Sequence, residues 1–156
     1  EKEKKPKLHL ENVRRDFLVA HASELHSAGL SAVSPAPLHK SVAERFLQKL
    51  VEHGPETLDL FYHGTPECNL VPIFDQGLRV PAGFHEVQNG AMHGLGIYLA
   101  EPGAHALSMG YLRGSTKMLV CGLVNTTKTE PLPVTKRHRY LVRGNLYAQS
   151  PHMRKV

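Results

Sequence analysis

The chain has 156 residues, enough to bury one compact core and too few for two domains of ordinary size. Hydrophobic residues make up 41% and charged residues 21% of it, which excludes a disordered or fibrous class; no stretch approaches the roughly 18–20 unbroken apolar residues of a membrane span. The formal charge of +5 raises nucleic acid as a partner. Much of that charge sits near the ends, in Lys2, Lys4, Lys5 and Lys7 and in Lys136, Arg137, Arg139, Arg143, Arg154 and Lys155, without an aromatic stacking platform or groove-reading helix beside it.

Residues 1–7 form a charged run that cannot serve as a secretory signal, and with no Met at the start the expectation is a piece of a longer protein. From Leu10 to His26 apolar residues recur at helical spacing, at Val13, Phe17, Leu18 and Leu25, with Gly29 at the C-cap. A Ser, Ala and Pro-rich segment, Leu30 to Pro37, breaks the pattern. A second helix is expected to open at Ser41 with Glu44 as the other half of a capping box. It would bury Val42, Phe46, Leu47, Leu50 and Val51 and end at Gly54 and Pro55.

Beyond this point short apolar runs replace long amphipathic ones. Leu58 to Tyr62, Gly96 to Ala100, Met118 to Val124 and Tyr140 to Val142 read as strands. Between the first two lies a short helix with Ile73 and Phe74 as core contacts and Gly77 as its C-cap. The order, helices and then strands without long intervening helices, predicts an α+β domain: a charged tail over 1–7, a helical leader over 8–55 and a β-rich core over 56–156.

Three local features carry chemistry. Tyr62-His63-Gly64-Thr65 ends a predicted strand; a Gly after a His lets a ligand approach the main chain, while the imidazole is free to bond a sugar hydroxyl. By itself it reads first as a strand-end His followed by a turn Gly. Gly94-Leu95-Gly96-Ile97-Tyr98-Leu99-Ala100 leads into an apolar strand whose Tyr98 offers a ring face, but it lacks the third Gly and the long helix of a dinucleotide fingerprint. Ser108-Met109-Gly110-Tyr111 supplies a hydroxyl and a second ring. A planar aromatic cation such as nicotinamide is well held between two tyrosine faces.

Taken in order, these features closely resemble the poly(ADP-ribose) polymerase catalytic domain. The likeness runs from Leu58 to the C-terminus, through His63-Gly64, Ile73, Gln76-Gly77-Leu78-Arg79-Val80, the Gly-x-Gly-Ile-Tyr-x-Ala run, the Ser-x-x-Tyr step, Met118 to Val124 and Arg139-Tyr140-Leu141-Val142. The two leading helices lie outside it. The resemblance implies a mostly antiparallel split sheet around a pocket for NAD+ as co-substrate. It implies His63 on the 2'-hydroxyl of the nicotinamide-side ribose, the Gly64 main chain and Ser108 on the carboxamide, Thr65 beside them, and Tyr98 and Tyr111 on the two faces of the ring. Pro81 to His93 would form the donor loop over the pocket.

The departure matters equally. Polymer-forming members of that family carry a Glu at the start of the last core strand, where aligning Tyr140-Leu141-Val142 puts Arg139. A carboxylate there favours the cationic transition state as nicotinamide leaves; a guanidinium opposes it. A one-residue slip would place His138 or Tyr140 instead, and neither is a carboxylate. The chemistry therefore turns on His63, Tyr98 and Arg139, and polymer synthesis is not expected.

The remaining features add constraints. Two cysteines, Cys68 and Cys121, are too few for a disulfide framework or a cysteine-based zinc site, so an intracellular compartment, cytoplasmic or nuclear, is expected. Eleven histidines include no His-Glu-x-x-His pair, His85 and His93 lie in a Gly-rich loop, and no metal is expected. The reading is a monomeric mono-ADP-ribosyltransferase domain that moves one unit from NAD+ to a protein, with nucleic acid as the other acceptor. Against it stand a degenerate domain acting as an interaction module and, more distantly, an RNA 2'-phosphotransferase, which expects extra basic residues in the pocket.

Overall fold

The apolar spacing from Leu10 onward does build a helix, but in two pieces. In the computed structural model, which describes residues 7–30, 32–79, 97–124, 129–131 and 139–142 (the last two segments as backbone), α1 spans Leu10–Ala20 and α2 spans Ala22–Ser27. His21 separates them at φ −111° and ψ 15°, outside the helical basin. The expected continuous helix is thereby corrected, and the packing gives the reason. Val13 joins Phe46, Leu50 and Val124 in one cluster, whereas Phe17, Leu18 and Leu25 surround Leu60 and Tyr62 in another. Gly29 closes this leader at φ 74°, its N–H donating to the His26 carbonyl at 2.9 Å.

Helix α3, Lys40–His53, buries Val42, Phe46 and Leu50. The capping box expected at Ser41 and Glu44 does not form. The N-cap is His39, whose Nδ1 accepts the Ser41 N–H at 3.1 Å and the Ser41 hydroxyl at 2.8 Å, while Glu44 faces Lys40 at 3.7 Å on the surface. A tertiary contact moves the N-cap by two residues, from Ser41 to His39, because the His39 N–H is tied to the Phe74 carbonyl at 2.9 Å. Phe74 lies in α4, Leu70–Gln76, and Arg45 of α3 donates to the Gln76 carbonyl at 3.2 Å. A cation at the last carbonyls of a helix meets the negative end of its dipole. The expected glycine ends both hold, with Gly54 at φ 95° and Gly77 at φ 82°, where only glycine is unstrained.

Strands β1 Leu58–His63, β2 Ile97–Ala100, β3 Leu119–Val124, β4 Thr129–Pro131 and β5 Arg139–Val142 form one antiparallel sheet in the order β3-β1-β2-β5-β4. Four of them stand where the sequence puts strands. β4 was not foreseen; it lies at the sheet edge, where the missing N–H of Pro131 is tolerated. β1 and β3 pair along their length, from Leu58↔Val124 to His63↔Leu119. β1 and β2 meet at Tyr62↔Ala100. The sheet is therefore two paired sections, β3–β1 and β2–β5–β4, joined at that one register position.

Alternation along the strands gives the sheet two apolar faces. Phe61, Ile97, Leu99 and Leu123 pack with Ile73 and Leu78 on one; Leu60, Tyr62 and Ala100 pack with Phe17, Leu18 and Leu25 on the other. Cys121 is buried and Cys68 exposed, both as free thiols. Burial pushes the Cys121 thiol far up, so it stays protonated. Among the described residues no helix is long and apolar enough to cross a membrane. The charged tail, the expected donor loop over Pro81 to His93, the Gly94-Leu95-Gly96 lead and the terminal basic residues beyond Val142 lie outside the described residues.

Leu50 is 1% exposed in the cluster that seats α3 on the sheet. Leu50→Ala should cost about 2–5 kcal/mol through lost transfer energy and the cavity left behind. Urea denaturation will show this as a lower midpoint at unchanged slope; a loss under about 1 kcal/mol would mean that α3 is not anchored through this residue.

Candidate active site

His63 is the last residue of β1, half-buried, where the strand begins to part from β2. Its Nδ1 lies 2.8 Å from the Tyr98 carbonyl oxygen of β2, 35 residues away in sequence. A carbonyl only accepts, so Nδ1 carries the proton and donates. Burial draws the His63 pKa below the ordinary imidazole value, and the bond to Tyr98 opposes that in part. The ring is then neutral at pH 7, and Nε2 is left as an acceptor for a hydroxyl.

The next residue explains why the motif needs a glycine. A Cβ on Gly64 would run into the main-chain carbonyl of Ser108, so the two backbones meet in a contact that no other residue permits. Ser108 is 5% exposed on the short helix α5, Ala106–Met109. Its hydroxyl donates to the Tyr62 carbonyl at 3.1 Å, and its own carbonyl accepts the Tyr111 N–H at 3.1 Å. One residue thus ties the end of β1 to the turn that carries Tyr111. The two lone pairs of the Ser108 hydroxyl remain available to a further donor.

Tyr98 and Tyr111 are both half-buried, the first within β2 and the second just after α5. Thr65 is 7% exposed, and its hydroxyl accepts from the Asn69 amide at 3.0 Å, which steadies the 3-10 turn Glu67–Asn69. Arg139 opens β5 and pairs with Ala100, two residues beyond Tyr98 on the neighbouring strand. Its side chain lies outside the description. Bonds and close contacts thus bring His63, Gly64, Tyr98, Ser108 and Tyr111 together at one end of the sheet, and backbone pairing brings Arg139 to its flank.

The sequence reading passed over two residues here. Tyr62 is 0% exposed, yet among the described residues its hydroxyl has no hydrogen-bond partner, and the same holds for the buried Nδ1 of His105. Their rings lie edge to face with centroids 5.9 Å apart. Burial, with the charge of Glu24 second, pushes the Tyr62 phenol up, so the hydroxyl keeps its proton. An unsatisfied buried polar group costs about 1–3 kcal/mol. The available signal was a tyrosine set in an otherwise apolar strand, because a buried phenol calls for a partner. Among the described residues no group of three or more His, Cys, Asp and Glu could hold a metal ion.

The fold is thus an α+β domain that gathers a His-Gly main-chain site, a buried serine and two half-buried tyrosines beside an antiparallel sheet. A family model described as the poly(ADP-ribose) polymerase catalytic domain matches residues 29–144, and the chain belongs to that family. No curated protein sequence matches the chain. The match begins ahead of Leu58, so α3 falls within it although the resemblance read from the motifs left both leading helices out. Membership supports ADP-ribosyltransferase activity in general, in a family whose substrate is NAD+.

Two outcomes follow from this geometry. Gly64→Ala forces the β1 end away from α5 and should lower the melting temperature; it should also disturb the Tyr111 turn through Ser108, which amide chemical shifts will report. His63 titrates in the opposite sense to a paired histidine. Its folded pKa is depressed, so the unfolded chain binds the extra proton first, and stability contributed by the neutral ring is present above the unfolded value near 6.5 and is lost as pH falls below it. Denaturation of the wild type and of His63→Gln at pH 7.5 and 5.5 should show a smaller acid loss in the variant; equal losses would remove His63 as a source.

Proposed function

We propose that the domain transfers a single ADP-ribose unit from NAD+ to a protein acceptor. In that reaction the bond between nicotinamide and ribose C1' breaks, and nicotinamide leaves with the electron pair. The acceptor nucleophile then attacks the oxocarbenium-like carbon and gives up its proton. The observation that carries the reading is the convergence of three separate motifs through the His63–Tyr98 bond and the Ser108–Gly64 contact.

His63 Nε2 would accept a ribose hydroxyl. The Gly64 main chain would hold the carboxamide, and the Ser108 hydroxyl would accept from its NH2 while donating to the Tyr62 carbonyl. Tyr98 and Tyr111 would flank the ring, where offset stacking and cation–π attraction favour the charged nicotinamide of NAD+ over the neutral product. Thr65 would lie beside the carboxamide, its hydroxyl held by the Asn69 amide. Elongation requires a carboxylate that activates the 2'-hydroxyl of an attached unit, and Arg139 at the head of β5 argues against it. A second reading, a domain that keeps the fold and has lost turnover, is favoured by the same Arg139.

Three measurements separate these. Calorimetry with benzamide should show binding that weakens several-fold in Tyr98→Ala and in Tyr111→Ala, each ring face being worth on the order of 1 kcal/mol; no binding by the parent at millimolar ligand would sink the pocket. Release of labelled nicotinamide should occur in the wild type and disappear in His63→Ala. Gels of the automodified domain should show discrete additions and no polymer ladder, and Arg139→Glu should raise nicotinamide release. Binding without release in the wild type would favour the second reading.

A further inference from the structure

The two buried orphan atoms, the Tyr62 hydroxyl and His105 Nδ1, lie on the same two segments whose main chains meet at the site. Tyr62 precedes His63 and Gly64, and its carbonyl accepts the Ser108 hydroxyl at 3.1 Å. The His105 carbonyl begins α5, accepting the N–H groups of Ser108 at 2.9 Å and Met109 at 3.3 Å. The side chains of Tyr62 and His105 face each other at a ring separation of 5.9 Å and an interplanar angle of 64°. Tyr62 packs among Leu25, Leu60, Ala100 and Leu107, with Glu24 close enough for its charge to act on the phenol and His105 as its ring neighbour. Buried polar groups in native proteins find partners, directly or through an ordered water.

We infer that Tyr62 and His105 are each other's partners and act as positioning residues: the Tyr62 hydroxyl donates to His105 Nδ1, directly or through one water, and this link sets α5, and so Ser108 and Tyr111, against Gly64. The phenol has a proton to give, and an Nδ1 that takes it must be the acceptor nitrogen of the ring. The link adds to the Ser108–Tyr62 bond a second tie between the same segments, made wholly by side chains. For the nicotinamide end of the site the inference rests on the function proposed above; for the link itself it does not.

The test uses Tyr62→Phe, which removes one oxygen, and His105→Leu, with His105→Asn as the conservative variant whose Oδ1 reproduces an acceptor near the Nδ1 position. NMR of the histidine side chains should find His105 Nδ1 unprotonated and hydrogen-bonded in the wild type, and should find its 15N shift moved in Tyr62→Phe. The amide resonances of Gly64, Ser108 and Tyr111 should move in Tyr62→Phe and His105→Leu and return toward wild-type positions in His105→Asn. Benzamide affinity should fall at least threefold in the first two variants, with the double variant no worse than either, and recover in His105→Asn. An unchanged Nδ1 shift in Tyr62→Phe overturns the link. Lower melting temperatures with unmoved Gly64 and Ser108 resonances and unaltered affinity overturn the positioning role, leaving packing alone. If the wild type binds no benzamide, the nicotinamide pocket fails, while the Nδ1 shift and the Gly64 and Ser108 resonances still decide the link.

Discussion

The close approach of the Gly64 and Ser108 main chains is the constraint on which the rest of the site depends. It exists because residue 64 has no Cβ, and it converts two short, unremarkable stretches of chain into one corner. His63 and Tyr111 lie within three residues of that corner, and Tyr98 is tied to it through the His63 bond. His63 is the neighbour of Gly64, the Ser108 hydroxyl reaches the Tyr62 carbonyl, and the Ser108 carbonyl fixes the Tyr111 amide. Main-chain contacts of this kind tolerate little adjustment, because the interior is close-packed and a shift of one backbone is passed to its neighbours.

The sheet supplies the rigidity that the corner borrows. β1 is paired along its whole length with β3 and buried on both faces, so its end is well placed in space. At Tyr62↔Ala100 the pairing with β2 is confined to one position, and the His63–Tyr98 bond lies just beyond it. An imidazole bonded to a neighbouring carbonyl takes the place that a further ladder bond would hold, at a point where the two strands diverge. A gap between strands bridged by a side chain is a natural place for a ligand to reach main-chain groups without breaking the sheet.

Much of this was legible in the sequence, and the failures have physical causes. Four strands, the α+β order and the glycine ends at Gly29, Gly54 and Gly77 follow from periodicity and from backbone freedom, which are local properties. The N-terminus of α3 was misread because His39 is held by Phe74, 35 residues later, and a tertiary bond overrode a capping preference worth about 1 kcal/mol. The break at His21 and the edge strand β4 escaped for similar reasons, since each depends on what packs or pairs with the segment. In the site, the residue types and their order were readable from the chain. That Ser108 is wedged against Gly64, and that Tyr62 faces His105, were not, because neither contact has a sequence-local trace.

The architecture separates the holding of a ligand from the reaction upon it. The groups proposed to hold the nicotinamide end lie on β1, β2 and the α5 turn and are set largely by main-chain contacts. The position on which the choice of reaction is proposed to depend, Arg139, lies on β5, which pairs with β2 and β4 and has no place beside β1 in the strand order. β5 adjoins the site along β2, through the Tyr98↔Leu141 and Ala100↔Arg139 pairs. If Arg139 acts as proposed, a side-chain change at the head of β5 would alter the charge at the site while leaving the Gly64–Ser108 contact in place. Binding and turnover would then vary independently within one fold, because the contact at residue 64 is fixed by a missing Cβ, whereas the charge proposed to govern the reaction is carried by a side chain on a strand that does not pair with β1.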